Sequence, residues 1–403
     1  MMPILSRRSS RLQPQPMFRI LAQANELERA GRPIVRLEIG DTSHFADPEL
    51  QRLLREDKRT TASLGYSPSA GEPELREVLA RQYASECGVP FTRENVVITP
   101  ANAAISQLLA VLCDEGDRVL LPDPAFPTYQ LAVRFNGLAP VFFPLREKSG
   151  FAPNLAEIQA LVEGDQRIRA VVIDNPSNPL GVCHDVEVMD KLAALCAEHN
   201  LALVIDDTYK NLVYTDAVRR IRHLPSNFYI YSLSKDAGAP ALRIGCVVGD
   251  AAVVAKVADY NSLFYSCLPK PLQMVAAIYL EGERKQLKVL RRAIVDRIQM
   301  TISILGLSPW LSFVRPNAAI YVYVNIVRTG LDSDAFADRL LLERGVCVCP
   351  GTGFGPSGRD YIRICLSGKE ADLSAGCREI VDFAELLATE MQAKRNEAAG
   401  IRG

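Results

Sequence analysis

The chain has 403 residues, 48% of them hydrophobic, with a formal net charge of −1 and ten cysteines. This length is enough for two or three domains of roughly 150 residues each, and the near-neutral charge argues against a nucleic-acid-binding protein, which would carry a basic patch. The sequence contains no run of about 18 apolar residues, so it predicts no membrane span. The cysteines lack metal-ligand spacing, and we interpret them as small buried hydrophobic residues of a protein in the reducing cytoplasm.

The N-terminal segment 1–20 contains arginines and serines but lacks the apolar stretch of a secretion signal, so we interpret it as an arm. Between about residues 50 and 290, strand-like apolar runs alternate with amphipathic segments. This alternation predicts a mostly parallel sheet covered by helices on both faces. A long helix near 274–305 is expected to leave this domain, and strands near 321–324 and 361–366 predict a smaller one.

Polar residues follow two of the strand-like runs. The run 170–174 is followed by an Asn-Pro-Ser-Asn-Pro segment that contains Asn178. The residue before a proline avoids the helical region, so this segment is expected to be extended, with the Asn178 amide free to donate a hydrogen bond. The run 201–205 leads into Asp206, three residues before Tyr209. A carboxylate at the C-terminal end of a strand lies where open α/β sheets place their ligands.

Lys235 follows another strand-like run, just after Ser232 and Ser234 and eight residues before Arg243. An amine at this place can condense with an aldehyde, while the hydroxyls and the guanidinium hold a phosphate on the same molecule. Pyridoxal 5′-phosphate (PLP) is such a molecule, and PLP sites use a Schiff-base lysine. Taken alone, the Ser-x-Ser-Lys pattern is as typical of a solvated lysine after a strand as it is of a PLP site.

The upstream residues supply the other contacts that PLP requires. Asp206 can pair with the protonated pyridine nitrogen and keep the ring an electron sink. Tyr209 and Asn178 can both donate to the phenolic oxygen of the ring. Because these residues precede Lys235 and Arg243 in a single consistent order, the sequence favours a PLP site over a chance pattern.

The motifs in this order resemble those of the fold-type I PLP enzymes, in particular the class I/II aminotransferase family (aspartate aminotransferase-like), from about residue 30 to about residue 385. The resemblance implies an α/β fold with a large domain, whose mostly parallel sheet lies between helices, and a smaller α+β domain. We expect an N-terminal arm over 1–20, the small domain over 21–48 and 291–390, the large PLP-binding domain over 49–290, and a frayed tail over 391–403.

The resemblance also implies roles for residues that the local patterns do not single out. Phe126 matches the aromatic residue that stacks on the pyridine ring, and Ala101 and Asn102, with Ala103, lie where backbone N–H groups hold the phosphate. Tyr66 matches a tyrosine that reaches the phosphate of the neighbouring subunit. A homodimer with shared active sites is therefore expected.

For the substrate, the resemblance implies that Arg363 binds the α-carboxylate through a bidentate fork. It places Gly40 where the substrate approaches the backbone, and it makes Asn178 a substrate contact as well as a cofactor contact. Lys235 is then the catalytic residue, and the substrates are an amino acid and a 2-oxo acid. A dicarboxylate is less expected, since Asn102 stands at one of the places where aspartate-specific relatives carry a basic residue; Lys270 is a substitute cation that the sequence leaves open.

Several residues around the expected cofactor depart from the family pattern: Pro100 in the phosphate-binding turn, Leu180 for the usual threonine, Ala241 for a glycine, and the 317–321 segment, which lacks another usual glycine. These departures leave the cofactor interpretation intact and are consistent with a specialised or secondary metabolic role. We expect a PLP-dependent aminotransferase. A lyase, a β/γ-replacement enzyme or a cyclisation enzyme on the same scaffold is the alternative.

A non-enzymatic class is the remaining alternative. Some proteins with a PLP fold are transcription regulators that carry a DNA-binding module ahead of that fold. The resemblance begins near residue 30, which leaves no room for such a module, so we expect no nucleic-acid partner, no membrane partner and no metal.

Overall fold

The computed structural model describes residues 17–58, 64–215 and 223–400, together with residues 9, 12 and 15, and for 394–400 it describes the backbone alone. The helices, numbered in chain order, are α1 Met17–Arg29, α2 Pro48–Glu56, α3 Pro73–Cys87, α4 Ala101–Leu112, α5 Pro127–Phe135, α6 Leu155–Gly164, α7 Val186–Glu198, α8 Leu233–Asp236, α9 Ala251–Tyr265, α10 Lys270–Glu281, α11 Lys285–Leu305, α12 Ser333–Arg344 and α13 Glu370–Gly400. The strands are β1 Val35–Arg36, β2 Val96–Ile98, β3 Arg118–Asp123, β4 Ala139–Pro144, β5 Ile168–Asp174, β6 Ala202–Asp206, β7 Asn227–Ser232, β8 Gly245–Val248, β9 Ser312–Phe313, β10 Tyr321–Asn325, β11 Val346–Cys347, β12 Cys349–Pro350 and β13 Tyr361–Cys365.

A seven-stranded sheet, here called the large sheet, has the strand order β2-β8-β7-β6-β5-β3-β4. Strand β8 runs antiparallel to both of its neighbours, and the other adjacent pairs are parallel. The parallel strands β5, β6 and β7 therefore bring their carboxyl ends to one edge of the sheet. This topology confirms the predicted α/β fold with a mostly parallel sheet.

Helices cover both faces of the large sheet, as its sequence pattern predicts. Alternate residues of the strands enter two different hydrophobic clusters: Val171 and Ile205 pack on one face, and Val172 and Val204 pack on the other. A strand that is buried on both faces needs a continuous apolar run, because neither set of alternate side chains meets water. This explains why β5, β6 and β7 appear in the sequence as uninterrupted hydrophobic stretches.

A second, antiparallel sheet has the order β12-β13-β10-β9 and is here called the small sheet. Strands β10 and β13 form its centre, with Tyr323 opposite Arg363. Beside it, the short strands β1 and β11 pair in parallel. These strands share a hydrophobic core with α1, α11, α12 and α13, so chain segments from both ends of the sequence meet here. The residue boundaries given above for the two domains remain a prediction.

Two segments differ from the sequence-based expectations. The single helix expected near 274–305 is two helices, α10 and α11, because Gly282 adopts an extended conformation (φ −79°, ψ 174°) that ends the first. The backbone of 391–400, expected to be frayed, continues helix α13. This segment is rich in alanine, lysine, arginine and glutamate, which are strong helix formers. Residues 401–403 and most of the expected N-terminal arm lie outside the described residues, although α1 already begins at Met17.

Within the described ranges, no helix is long and apolar enough to cross a membrane. In the same part of the chain, no three histidine, cysteine, aspartate or glutamate side chains converge as a metal site would require.

Candidate active site

A cavity of about 230 Å³ lies at the carboxyl ends of β5, β6 and β7, where the large sheet faces the small sheet. It brings together all of the predicted site residues except Tyr66: Gly40, Ala101, Asn102, Phe126, Asn178, Asp206, Tyr209, Ser232, Ser234, Lys235, Arg243 and Arg363. Ligands of open α/β sheets bind at this edge. The geometry thus supports a single site.

Asp206 ends β6 and is held by two donors. The Tyr129 hydroxyl donates to its Oδ2 at 2.8 Å, and the Thr208 backbone N–H donates to its Oδ1 at 3.0 Å. Burial raises the pKa of Asp206, because a charged carboxylate is disfavoured away from water. Each carboxylate oxygen has two lone pairs, so both oxygens can accept a further hydrogen bond from a group in the cavity.

Asp174 ends the adjacent strand β5 and pairs in register with Asp206. Its Oδ2 accepts a hydrogen bond from the Asn178 backbone N–H at 2.7 Å, which fixes the start of the Asn-Pro turn. Burial, together with the nearby Asp206 carboxyl, raises the pKa of Asp174 to about 8 against the opposing effect of the Asn178 hydrogen bond. Two carboxyl groups thus share this end of the cavity, and Asp174 holds its proton at neutral pH.

Lys235 lies on α8, the short helix that follows β7. The Ser232 Oγ accepts a hydrogen bond from the Ser234 backbone N–H at 3.3 Å and caps this helix, which places the lysine near the carboxyl end of β7. Its Nζ donates to the Gly40 carbonyl oxygen at 2.6 Å. Burial lowers the pKa of Lys235, because the ammonium form is disfavoured away from water. The amine is therefore closer to its neutral, nucleophilic form than an exposed lysine is.

Gly40 is a glycine for a steric reason. A Cβ atom at this position would lie 2.1 Å from the Tyr321 hydroxyl oxygen, far inside van der Waals contact. Tyr321 is buried and shares a hydrogen bond of 2.7 Å with the Tyr209 hydroxyl. The close approach of the Gly40 backbone to this pair allows its carbonyl to reach the Lys235 amine.

Arg363 extends from β13 of the small sheet and is only 2% exposed. Its Nη1 donates to the Asn178 Oδ1 at 2.8 Å, and its Nη2 donates to the Glu38 backbone oxygen. The guanidinium stacks over the rings of Tyr321 and Phe354, with its Cζ 4.3 and 4.9 Å from their centroids. Both hydrogen-bond acceptors are neutral oxygens, so the positive charge remains available to attract an anion in the cavity.

The first turn of α4 also borders the cavity. Ala101 and Asn102 line the cavity from this turn, and a helix N-terminus favours an anion. The backbone N–H of Ala103, expected as a third donor to the phosphate, instead donates to the Pro100 carbonyl oxygen at 2.8 Å. Arg243 lines the cavity from a left-handed backbone conformation (φ 57°), and its Nη1 donates to the Pro240 carbonyl at 3.1 Å.

The two predicted aromatic contacts have different positions. Phe126 directly precedes α5 and lines the cavity, with its ring edge-on to Tyr129 at a centroid distance of 5.7 Å. Tyr66 is 88% exposed and does not line this cavity.

Sequence reasoning missed a further group of cavity residues. Asp174 carries the same signal that identified Asp206, an acid at the end of an apolar run, so this residue could have been found. Tyr129 and Tyr321 reach the site from elements distant in the sequence, and no local pattern marks them. The cavity residues that were missed are Gln15, Met17, Phe18, Ile39, Tyr129, Asp174, Thr208, Pro240 and Tyr321.

The residues present fit PLP in chemical type. A buried carboxyl suits the ring nitrogen, the hydroxyl of Tyr209 and the amide of Asn178 suit the phenolic oxygen, and the amine of Lys235 suits the aldehyde. The N-terminus of α4 and Arg243 suit the phosphate. Arg363 then remains for the carboxylate of a substrate.

Comparisons with known proteins agree with this geometry. The model of the family "Aminotransferase class I and II" matches residues 32–380. The arginine–pyruvate transaminase of Pseudomonas aeruginosa is 31% identical over 377 residues, which are 92% of this chain and 94% of that protein. The aspartate/prephenate aminotransferase of Thermus thermophilus is 30% identical over 376 residues, 92% of this chain and 96% of that protein.

Solved structures show the same fold. The aspartate aminotransferase of Thermus thermophilus with maleate superimposes with a TM-score of 0.87 and 27% identity, covering 95% of this chain and 100% of that chain. Together with the family match, this identifies the chain as a PLP-dependent transferase with a fold-type I architecture. The chain belongs to the class I and II aminotransferase family.

Proposed function

We propose that this enzyme binds PLP covalently through Lys235 and transfers an amino group from an amino acid to a 2-oxo acid. The observation that carries the proposal is the convergence of Lys235, Asp206 and Arg363 on one cavity from three separate elements. Bound PLP supplies an electron sink for the bond to the substrate Cα. The remaining chemistry is assigned to the side chains of this chain.

Asp206 is the partner of the pyridine nitrogen. In the protein alone, burial raises its pKa, but a protonated ring nitrogen beside it would favour the carboxylate form. Tyr129 and Thr208 hold the carboxyl in place from the far side, so its orientation is set in advance. Asp174, as a neutral acid next to it, adds no second negative charge that would compete.

Lys235 has two successive roles. Its amine would hold the cofactor through the aldehyde, and burial favours the neutral form that this bond requires. When it is not bonded to the cofactor, the Lys235 Nζ would accept the proton from the substrate Cα as a general base. The Gly40 carbonyl, 2.6 Å from Nζ, orients the amine at this position.

Arg363 binds the substrate α-carboxylate through its planar fork of N–H donors. Asn178 already accepts from Nη1, and the rings of Tyr321 and Phe354 prevent the guanidinium from turning. Because the arginine is fixed before substrate arrives, less conformational entropy is lost on binding.

The second part of the proposal is a homodimer in which Tyr66 serves the cofactor of the neighbouring subunit. Large apolar side chains that are mostly exposed in the single chain support this: Leu64 is 85% exposed, Tyr66 88%, Leu263 77% and Phe264 62%. Exposed apolar groups of this size are typical of a protein interface. A second copy of this chain is the partner that would cover them.

The setting of the reaction is also proposed. Ten cysteines, six of them buried, suit a protein of the reducing cytoplasm. The departures at Pro100, Leu180 and Ala241 favour specialised or secondary amino-acid metabolism over a general metabolic role.

The experiment compares the wild type with Lys235→Ala after incubation with PLP. The wild type should gain visible absorption and become covalently labelled on borohydride reduction, and Lys235→Ala should show neither. Lys256→Ala, which removes an exposed lysine on α9, is the matched control and should behave as the wild type. A wild type that gains no absorption would contradict the proposal.

Transamination is then tested by adding amino acids to the PLP-loaded enzyme. Accumulation of the aminated cofactor together with the matching 2-oxo acid supports an aminotransferase. A product formed without that oxo acid, and with the cofactor recovered unchanged, would assign the enzyme to the lyase, replacement or cyclisation class.

A further inference from the structure

One wall of the cavity is apolar and has no place in the proposed chemistry. It is formed by Met17 and Phe18 at the start of α1 and by Ile39, the residue before Gly40. Phe18 is 50% exposed and Ile39 is 45% exposed, and neither packs into a hydrophobic core. Large apolar side chains at the mouth of a polar cavity are costly in water unless a ligand covers them.

The charged side chains of the cavity already have partners or roles. The basic residues among the described lining residues are Lys235, Arg243 and Arg363, proposed above for the cofactor aldehyde, the phosphate and the α-carboxylate. The acidic ones are Asp174 and Asp206, which are buried, and Asp206 is proposed above for the ring nitrogen. Among the described residues, no lining cation remains for a second substrate carboxylate, and no lining carboxylate remains for a distal amine.

The polar group closest in sequence to this wall is also engaged. Gln15 lines the cavity, and its Nε2 donates to the Thr128 hydroxyl at 2.9 Å. The side of the cavity that α1 contributes therefore offers a substrate mostly aliphatic and aromatic surface.

We propose that the enzyme acts on amino acids with apolar side chains, and that Phe18 and Ile39 form the surface that contacts the substrate side chain. This inference rests on the proposed function of the same cavity. Burial of a branched or aromatic side chain against these two residues removes apolar surface from water on both partners. A carboxylate at the same place would lose its hydration without gaining a counter-ion.

The test uses the PLP-loaded wild type and measures the second-order rate at which leucine, phenylalanine and aspartate convert the bound cofactor in a single turnover. Leucine and phenylalanine should react on the order of 100-fold faster than aspartate, the range that one mismatched side chain produces in a shaped pocket. Equal rates for aspartate and leucine would overturn the inferred substrate class and leave the aminotransferase intact. Failure of every amino acid to convert the cofactor would overturn the proposed function itself.

Variants of the wall locate the effect. Ile39→Arg adds a cation and should improve the ratio of aspartate to leucine by about 10-fold or more, because a paired carboxylate no longer bears the full cost of desolvation. Val295→Arg is the matched control: Val295 is 43% exposed, lies on α11 and does not line the cavity, so the ratio should stay at the wild-type value. An unchanged ratio in Ile39→Arg would show that this wall does not contact the substrate.

Binding is separated from chemistry with α-methylleucine and α-methylaspartate, which lack the Cα proton and cannot complete transamination. Binding is measured from the shift in the cofactor spectrum, and the wild type should bind α-methylleucine more tightly than α-methylaspartate. Phe18→Ala should weaken the binding of α-methylleucine about 10-fold and that of α-methylaspartate less. Tighter binding of α-methylaspartate by the wild type would overturn the proposal.

Discussion

Replacement of Gly40 by alanine tests how closely the Gly40 backbone approaches Tyr321 at the site. The new Cβ would lie 2.1 Å from the Tyr321 Oη, whereas ordinary contact begins at 3.4 Å. Tyr321 is only 2% exposed and its hydroxyl is bonded to Tyr209, so a shift of its ring disturbs that hydrogen bond and the packing around it. Overpacking of this kind costs about 1–3 kcal/mol. We expect Gly40→Ala to destabilise the protein by about that amount and to displace the carbonyl that holds the Lys235 amine.

Tyr321→Phe provides the internal test of this explanation. It removes the Oη, after which the closest ring carbon lies 3.0 Å from the ideal position of the alanine Cβ and needs to move only a few tenths of an ångström. The variant also loses the 2.7 Å bond to Tyr209, at a cost of about 1 kcal/mol. In the Tyr321→Phe background, Gly40→Ala should therefore cost about 1–2 kcal/mol less than in the wild type, a coupling typical of residues in contact.

The assay measures the thermal unfolding midpoints, without cofactor, of the wild type, Gly40→Ala, Tyr321→Phe and the double variant. The amount of PLP that borohydride traps on each protein is a second measurement, which reports on the position of Lys235. Gly164→Ala is the control, because a Cβ there meets nothing within 4 Å; its midpoint should match or exceed the wild type. If Gly40→Ala lowers the midpoint equally in both backgrounds, the hydroxyl is not the cause and the steric explanation is refuted.

Three further predictions concern other parts of the molecule. The pKa of Asp174 is about 8 in the folded protein and about 3.9 in an unfolded chain, so the stabilising contribution of its neutral form is complete below pH 4 and is lost as the pH rises to 8. The thermal midpoint of Asp174→Asn minus that of the wild type should therefore increase from pH 5 to pH 9. A difference that stays constant over this range would contradict the prediction. Ala319 has φ 55°, which costs an L-residue about 1–2 kcal/mol. Ala319→Gly recovers this cost but loses about 0.4–1 kcal/mol through unfolded-state entropy and about 0.8 kcal/mol of methyl burial, so the thermal midpoint should stay close to the wild type. A loss of about 1–2 kcal/mol in the free energy of unfolding, the sum of these two losses alone, would disprove the strain. Lys235→Ala mixed with a Tyr66→Ala protein should regain part of the wild-type activity through heterodimers, each with one intact site, whereas an active monomer in solution would exclude the shared site.

The parts of the site that the sequence predicts are those whose signals are local. Asp206 ends a buried strand, and Asn178 and Lys235 lie within a few residues of the ends of two others. Because parallel strands end at the same edge of a sheet, the convergence of these residues follows from the topology. Phe126 and Arg363 needed the family resemblance, because a lone aromatic residue or arginine has no distinctive pattern around it.

The parts that escaped prediction depend on contacts between distant segments. Tyr129 reaches Asp206 across 77 positions and Tyr321 reaches Tyr209 across 112, and no periodicity in either segment records these pairings. The break between α10 and α11 escaped for a different reason. A single Gly282 in a helical pattern is usually tolerated at a cost of about 1 kcal/mol, so its presence alone does not predict the end of a helix.

Three hydrogen bonds that connect distant parts of the chain are made by the site residues themselves: Lys235 to the Gly40 carbonyl, Arg363 to Asn178, and Tyr209 to Tyr321. All three use groups that the cofactor or the substrate is proposed to engage. A ligand that takes the amine or the guanidinium therefore competes with a bond that ties the segments around the two sheets together. Occupancy of the site is thus linked by mass action to the contacts that hold these distant segments together.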